Sequence, residues 1–177
     1  MTANQTIWAF TIALTLVAGG WDLRTRKIPN WLTVSGFLAG LIVHTWISGW
    51  RGTVMSLEGA GLALAVLIPL VLMRGLGAGD WKLMGAVGSF LGPVMMLFVL
   101  LATILVAGVM AIVMVIKTKQ VISTLRNMAI LVQGFFAFGL VTHPEISLDN
   151  PGLLKLPFGV AVAIGTLGCF LTAQFRR

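Results

Sequence analysis

The chain has 177 residues, 58% of them hydrophobic and 10% charged, with a mean hydropathy of +1.01; an ordinary soluble domain is roughly 25% charged. Twelve Lys and Arg with five Asp and Glu cannot coat a soluble core of this size, which excludes a disordered, collagen-like or disulfide-framed chain and makes lipid the solvent for most of the surface. The formal charge of +7 sits in short basic clusters between long uncharged runs, a pattern of membrane-protein loops rather than of a nucleic-acid binder.

Stretches free of Asp, Glu, Lys and Arg run from Met1 to Trp21, Ile28 to Trp50, Gly59 to Met73, Leu83 to Ile116, Asn127 to Pro144 and Leu156 to Phe175. A bilayer core takes about 20 helical residues. The first segment, Met1 to Trp21, has no Lys or Arg before Arg24 and no small-residue cleavage site leading into a polar domain, so it reads as a retained span rather than a signal peptide. Ile28 to Trp50 and Gly59 to Met73 fit single spans, the latter extended back by Gly52 to Leu57 across Glu58. Leu83 to Ile116 would be about 51 Å long at about 1.5 Å per residue, too long for one span. Gly92-Pro93 is its natural break, because proline cannot donate to the helix ladder and pushes its predecessor out of helical geometry. A short helix near Lys82 to Leu91 and a full one near Val94 to Ile116 follow. A half-length helix is tolerated at depth only where protein or water covers its ends.

Asn127 to Pro144 has a short apolar core interrupted by Gln133 and reads as interfacial or re-entrant. Leu156 to Phe175 fits a last span. The expectation is an all-α integral membrane protein, a polytopic bundle of about six transmembrane helices, the fourth short and broken at Gly92-Pro93, forming one domain over 1–177. Gly36 with Gly40 and Gly88 with Gly92 have the spacing at which membrane helices approach closely. Trp21, Trp31, Trp46, Trp50 and Trp81 fall near helix ends, as an aromatic belt does.

With six spans, Arg24, Arg26, Lys27, Arg74, Lys82, Lys117, Lys119, Arg126 and Lys155 share one side, against Arg51, Arg176 and Arg177 on the other. The positive-inside rule makes the richer side cytoplasmic. If Asn127 to Pro144 spans instead, Lys155, Arg176 and Arg177 exchange sides, so the rule fixes only the front half.

An ionised carboxylate near hydrocarbon is costly, so the acids are where chemistry is sought. Glu145 and Asp149 lie in a loop containing Pro, Asn and Gly, and Glu58 reads as interfacial. Asp22, in Trp21-Asp22-Leu23-Arg24-Thr25-Arg26-Lys27-Ile28-Pro29-Asn30, and Asp80, in Gly75-Leu76-Gly77-Ala78-Gly79-Asp80-Trp81-Lys82, remain. The basic loops put both at the cytoplasmic face. Two carboxyls held close cannot both ionise easily and share a proton. The ionised member can activate water while the protonated one polarises a peptide carbonyl. Glycines before Asp80 let an extended substrate lie against the loop. G-x-G-D alone is a short pattern, and Asp22 alone reads equally as a loop acid. The single cysteine, Cys169, lies in an apolar stretch and offers neither a disulfide nor a structural zinc site, and no metal is expected.

Asp22 with Arg24, Arg26, Ile28-Pro29-Asn30 and Thr33, then Gly77-Ala78-Gly79-Asp80-Trp81-Lys82-Leu83 and Gly85-Ala86-Val87-Gly88, resembles the type IV prepilin peptidase family of G-x-G-D membrane aspartic proteases. Leu156-Pro157-Phe158-Gly159-Val160-Ala161 resembles the motif opening that family's last helix, and the match runs in order from about residue 5 to 175. The resemblance implies that Asp22 and Asp80 are the two catalytic aspartates of an endopeptidase in the bacterial inner membrane. It further implies that the enzyme removes a prepilin leader on the cytoplasmic side, usually after a glycine, with pilus assembly machinery as a further partner. Larger members carry an extra cytoplasmic segment between the first two spans and also N-methylate the new terminus. Here only Leu23 to Asn30 connect those spans, so the chain resembles the compact, peptidase-only branch serving Flp/Tad-type pili, with no S-adenosylmethionine site or other cofactor expected.

Among the flanking residues, Lys82 offsets the charge of the pair or simply marks the cytoplasmic side. Arg24, Arg26 and Lys27 attract anionic headgroups or an acidic substrate side chain, or report topology. Gly77, Gly79, Pro29, Asn30, Pro157, Phe158 and Gly159 are candidates for shaping the substrate groove, with helix-start punctuation as the alternative. His44 and His143 have no evident partner. A proton-coupled small transporter or channel subunit would use the same aspartates, but calls for acids at mid-depth and an inverted repeat. A presenilin-type protease would carry a late Pro-Ala-Leu motif, absent here. A non-enzymatic assembly scaffold would tolerate loss of both acids.

Overall fold

The structure, a computed structural model, describes residues 3–73, 75–118 and 156–175. The segment 127–144 read as interfacial, together with Arg74, His143, Glu145, Asp149 and Lys155, lies outside them. The described residues form helices α1 (Ala3–Thr25), α2 (Asn30–Leu72), α3 (Ala78–Thr118) and α4 (Phe158–Phe175), with no strand among them. All four are long and apolar enough to cross a membrane.

The expected count of about six helices is not matched. Helices α2 and α3 run to 43 and 41 residues because each joins two expected spans end to end without a loop. Their joints are single glycines in the left-handed region, Gly49 (φ 57°) and Gly92 (φ 71°), which glycine enters without the steric cost a Cβ brings. At Gly49 the chain doubles back. Thr45 and Thr53 are eight residues apart, about 12 Å of rise on a straight helix, yet their hydroxyls lie 2.7 Å from one another.

The two arms of α2 grip the first arm of α3. Gly40, before the bend, packs on Ser89, and Gly59, after it, packs on Gly88 and Gly92 so closely that a Cβ at either Gly59 or Gly88 would collide with the other's carbonyl. Every residue from Leu83 to Gly92 is buried. This short arm is apolar all round and covered by protein on every side, which is how a half-length helix survives at membrane depth. Leu83, Met84, Val87 and Phe90 form the centre of the core, joined by Met96 and Val99 beyond the break and by Val162 from α4. The second arm of α3 instead exposes Val94, Phe98, Leu101, Leu105, Val109, Ile112 and Ile116. That surface suits lipid and not water.

His44 has a partner that is invisible in sequence. Its Nε2 lies 2.6 Å from the Phe90 carbonyl oxygen, and because a carbonyl only accepts, the ring nitrogen carries the proton. Pro93 has no N–H to give and Gly92 is turned out of the ladder, so the break leaves carbonyls of the preceding turn short of donors. Ser89 adds bonds to the Ala86 and Phe37 carbonyls. Replacing His44 by Ala should therefore cost about 1–3 kcal/mol, the penalty for leaving a buried acceptor unpaired. Denaturant unfolding in detergent checks this, and His44→Gln, which keeps a donor, should recover part of the loss.

Candidate active site

Helix α1 ends one turn after Asp22, at Thr25. The Arg26 N–H donates to the Asp22 carbonyl at 2.9 Å, and Arg26 takes the left-handed conformation (φ 54°), the cap geometry that usually falls to glycine. In an arginine it costs about 1–2 kcal/mol. The Thr25 hydroxyl reinforces the turn with bonds to the Trp21 and Lys27 carbonyls at 3.0 and 2.9 Å. Pro29 is extended (φ −70°, ψ 141°) and leads straight into α2. The chain therefore reverses at once and Ile28 returns beside the aspartate.

The Asp22 side chain is 5% exposed. Its Oδ2 accepts the Gly159 N–H at 2.9 Å, one of the backbone donors that the first turn of α4 leaves without an intrahelical partner. A carboxylate there is also favoured by the helix dipole. The approach is tight at residue 159, where a Cβ would lie 3.1 Å from the Asp22 Cβ and 3.3 Å from the Ala18 carbonyl oxygen.

Asp80 sits in the first turn of α3 and is half-buried. The Gly77 N–H donates back to its carboxylate, and the Trp81 N–H donates to the Gly77 carbonyl at 3.0 Å. Gly79 lies under the returning loop, a Cβ there falling 3.2 Å from the Ile28 carbonyl oxygen. That crossing brings the two acidic segments together. Asp22, Arg26, Lys27, Ile28, Gly77, Ala78, Gly79 and Asp80 line one cavity of about 290 Å³, and the two carboxyls are near enough for their charges to act on one another. Asp80 also borders a second cavity of about 350 Å³ whose other walls include Leu70, Leu76, Ile104 and Phe158.

Of the residues singled out in the sequence, Asp22, Asp80, Gly77 and Gly79 thus meet in one place, and Gly159 touches Asp22. Lys82 does not contact the pair in this arrangement. Its Nζ donates to Asn30 Oδ1 at 3.0 Å. Arg24 is exposed and is not among the residues lining the acidic cavity. Pro29 and Pro157 precede α2 and α4, and Phe158 borders the second cavity. Sequence reasoning gave no role to the backbone of Ile28 and placed Trp81 only in an aromatic belt, whereas its indole donates to the Leu64 carbonyl at 2.9 Å.

Chemically, the arrangement holds two carboxyls on separate helix ends, each given one backbone N–H, facing a shared space with two basic residues on its wall. A Gly159→Ala substitution should push the Asp22 segment off the head of α4 and cost about 1–3 kcal/mol through overpacking. Thermal unfolding in detergent measures that loss, and Gly168→Ala, where a Cβ meets nothing within 4 Å, should show none of it.

A search of curated proteins and of solved structures gave no match. A family model does match, over residues 9–112, and it describes the type IV leader peptidase family. The matched span holds both aspartates and more than half of the chain, so this multi-pass membrane protein belongs to the type IV leader peptidase family.

Proposed function

We propose that the protein is a two-aspartate endopeptidase that removes the leader of type IV or Flp-type prepilins at the cytoplasmic face of the bacterial inner membrane. The observation that carries this reading is the cavity shared by Asp22 and Asp80. In the proposed step the ionised carboxylate takes a proton from water while the water oxygen attacks the scissile carbonyl carbon. The protonated carboxyl gives its proton to the carbonyl oxygen, so the tetrahedral intermediate is neutral. Collapse breaks the C–N bond as the proton taken from water passes to the leaving amine, and one hydroxyl of the intermediate returns its proton to the other carboxylate as the new carboxyl C=O forms. The pair ends with one proton, as it began.

Placement of the acids supports hydrolysis at a membrane surface. Asp22 stands in the last turn of α1 and Asp80 in the first turn of α3, where an extended polar peptide can reach them. Nothing in the arrangement favours the proton-coupled transporter, which calls for acids at mid-depth. The connection from Asp22 to α2 is a few residues long and leaves no room there for the added segment of the methylating members, so peptidase activity without N-methylation is expected.

Co-expression with the cognate prepilin tests the reading. Asp22→Asn and Asp80→Asn, each verified in the membrane at wild-type level, should lower leader cleavage by at least about 100-fold. Normal cleavage by either variant would remove that residue from the mechanism. In purified enzyme the rate should rise with pH as the first carboxyl ionises and fall as the second loses its proton, whereas a plateau continuing to high pH would contradict the shared-proton step.

A further inference from the structure

Three consecutive residues near the head of α3, the third to the fifth, each hold a different neighbour. Successive residues on a helix point about 100° apart, so Asp80, Trp81 and Lys82 fan outward from one turn. Asp80 faces the cavity it shares with Asp22 of α1. The Trp81 indole donates to the Leu64 carbonyl in the second arm of α2, and the Lys82 ammonium donates to Asn30 Oδ1 at the start of its first arm.

Both members of the last bond stand against local preference. A lysine in the opening turns of a helix works against the dipole. Asparagine at a helix start ordinarily caps it, but the cap position of α2 is Pro29, without a side-chain cap bond, and the Asn30 oxygen goes to Lys82 instead. Local rules broken at both ends of one contact indicate that the contact serves tertiary geometry. In the segment leading into Asp80, Gly75, Gly77 and Gly79 have no side chains, and it is held by backbone bonds at Gly75, Leu76 and Gly77, by the buried Leu76 and by the crossing of Ile28 over Gly79. The side-chain hydrogen bonds that tie the head of α3 to α2 are those of Trp81 and Lys82.

We propose that Lys82 and Asn30, assisted by Trp81, are positioning residues that fix the roll of the first turn of α3 and so keep the Asp80 carboxyl facing Asp22. The proposal rests on the aspartate-pair reading above. It assigns Lys82 neither to substrate nor to direct charge compensation of the pair.

The test uses the full chain reconstituted with its prepilin, with kcat and KM measured separately. Lys82→Met and Asn30→Leu should each lower kcat about ten- to a hundred-fold, the scale of a misplaced catalytic group, while KM moves less than about two-fold. Asn30→Leu changes no charge, so it separates positioning from electrostatics and carries the test alone if Lys82→Met does not accumulate. The double variant should be no slower than the slower single, because both remove one bond. Lys82→Arg, which keeps the donors, should recover most of kcat, and Trp81→Phe should lose kcat in the same sense. A wild-type kcat in Asn30→Leu, losses that multiply in the double variant, or losses confined to KM would each overturn the proposal. If Asp22→Asn and Asp80→Asn also cleave normally, the peptidase reading falls and takes the proposal with it. If those two are inactive while Asn30→Leu cleaves like wild type, only the positioning role is wrong.

Discussion

The hydrogen bond from the Gly159 N–H to the Asp22 carboxylate is the contact on which the rest of the site depends. A carboxylate at the edge of a bilayer needs partners that a lipid surface does not offer, and the first turn of α4 supplies one from backbone donors that the helix itself cannot use. The bond is possible because residue 159 has no side chain and because α1 stops one turn after Asp22, at the left-handed Arg26. It ties the end of the first described helix to the start of the last, and so holds Asp22 by a contact that does not involve Asp80.

Asp80 is brought there by a different device. The first arm of α3 is buried in the core between the two arms of α2, and its head projects toward the end of α1. Two glycines make that head compatible with its surroundings: Gly77, onto which the Asp80 carboxylate folds, and Gly79, over which Ile28 passes. The spacing G-x-G-D thus has a packing explanation in this chain beyond any contact with a substrate. Core, loop and acid are parts of one arrangement, and the short buried arm keeps its own ladder intact only up to Phe90, whose carbonyl His44 then takes.

Much of this could be read from residue types alone. The break at Gly92-Pro93 was legible because proline announces a missing donor, and the two aspartates stood out because acids are so scarce in an apolar chain. The boundary between the arms of α2 was legible from Arg51, within two residues of the bend, but that one glycine among 21 would join them without a loop was not, and this joint and the one at Gly92 together lower the helix count. His44 and Gly159 were opaque for another reason. Each bonds to or through backbone, and a carbonyl or N–H looks the same at every position of a sequence. Lys82 was read toward the acid two residues away, but residues two apart on a helix lie on nearly opposite sides, which is why it reaches Asn30 instead.

The central claim is that Asp22 and Asp80 share one cavity in the folded membrane protein. It is tested most directly by cross-linking Asp22→Cys to Asp80→Cys in a Cys169→Ser background, in native membranes, with an oxidant and with a short bis-maleimide. The account predicts an internal cross-link in the double-cysteine protein and none in either single variant. Failure to cross-link in a protein whose two cysteines each react with a monofunctional maleimide would contradict it.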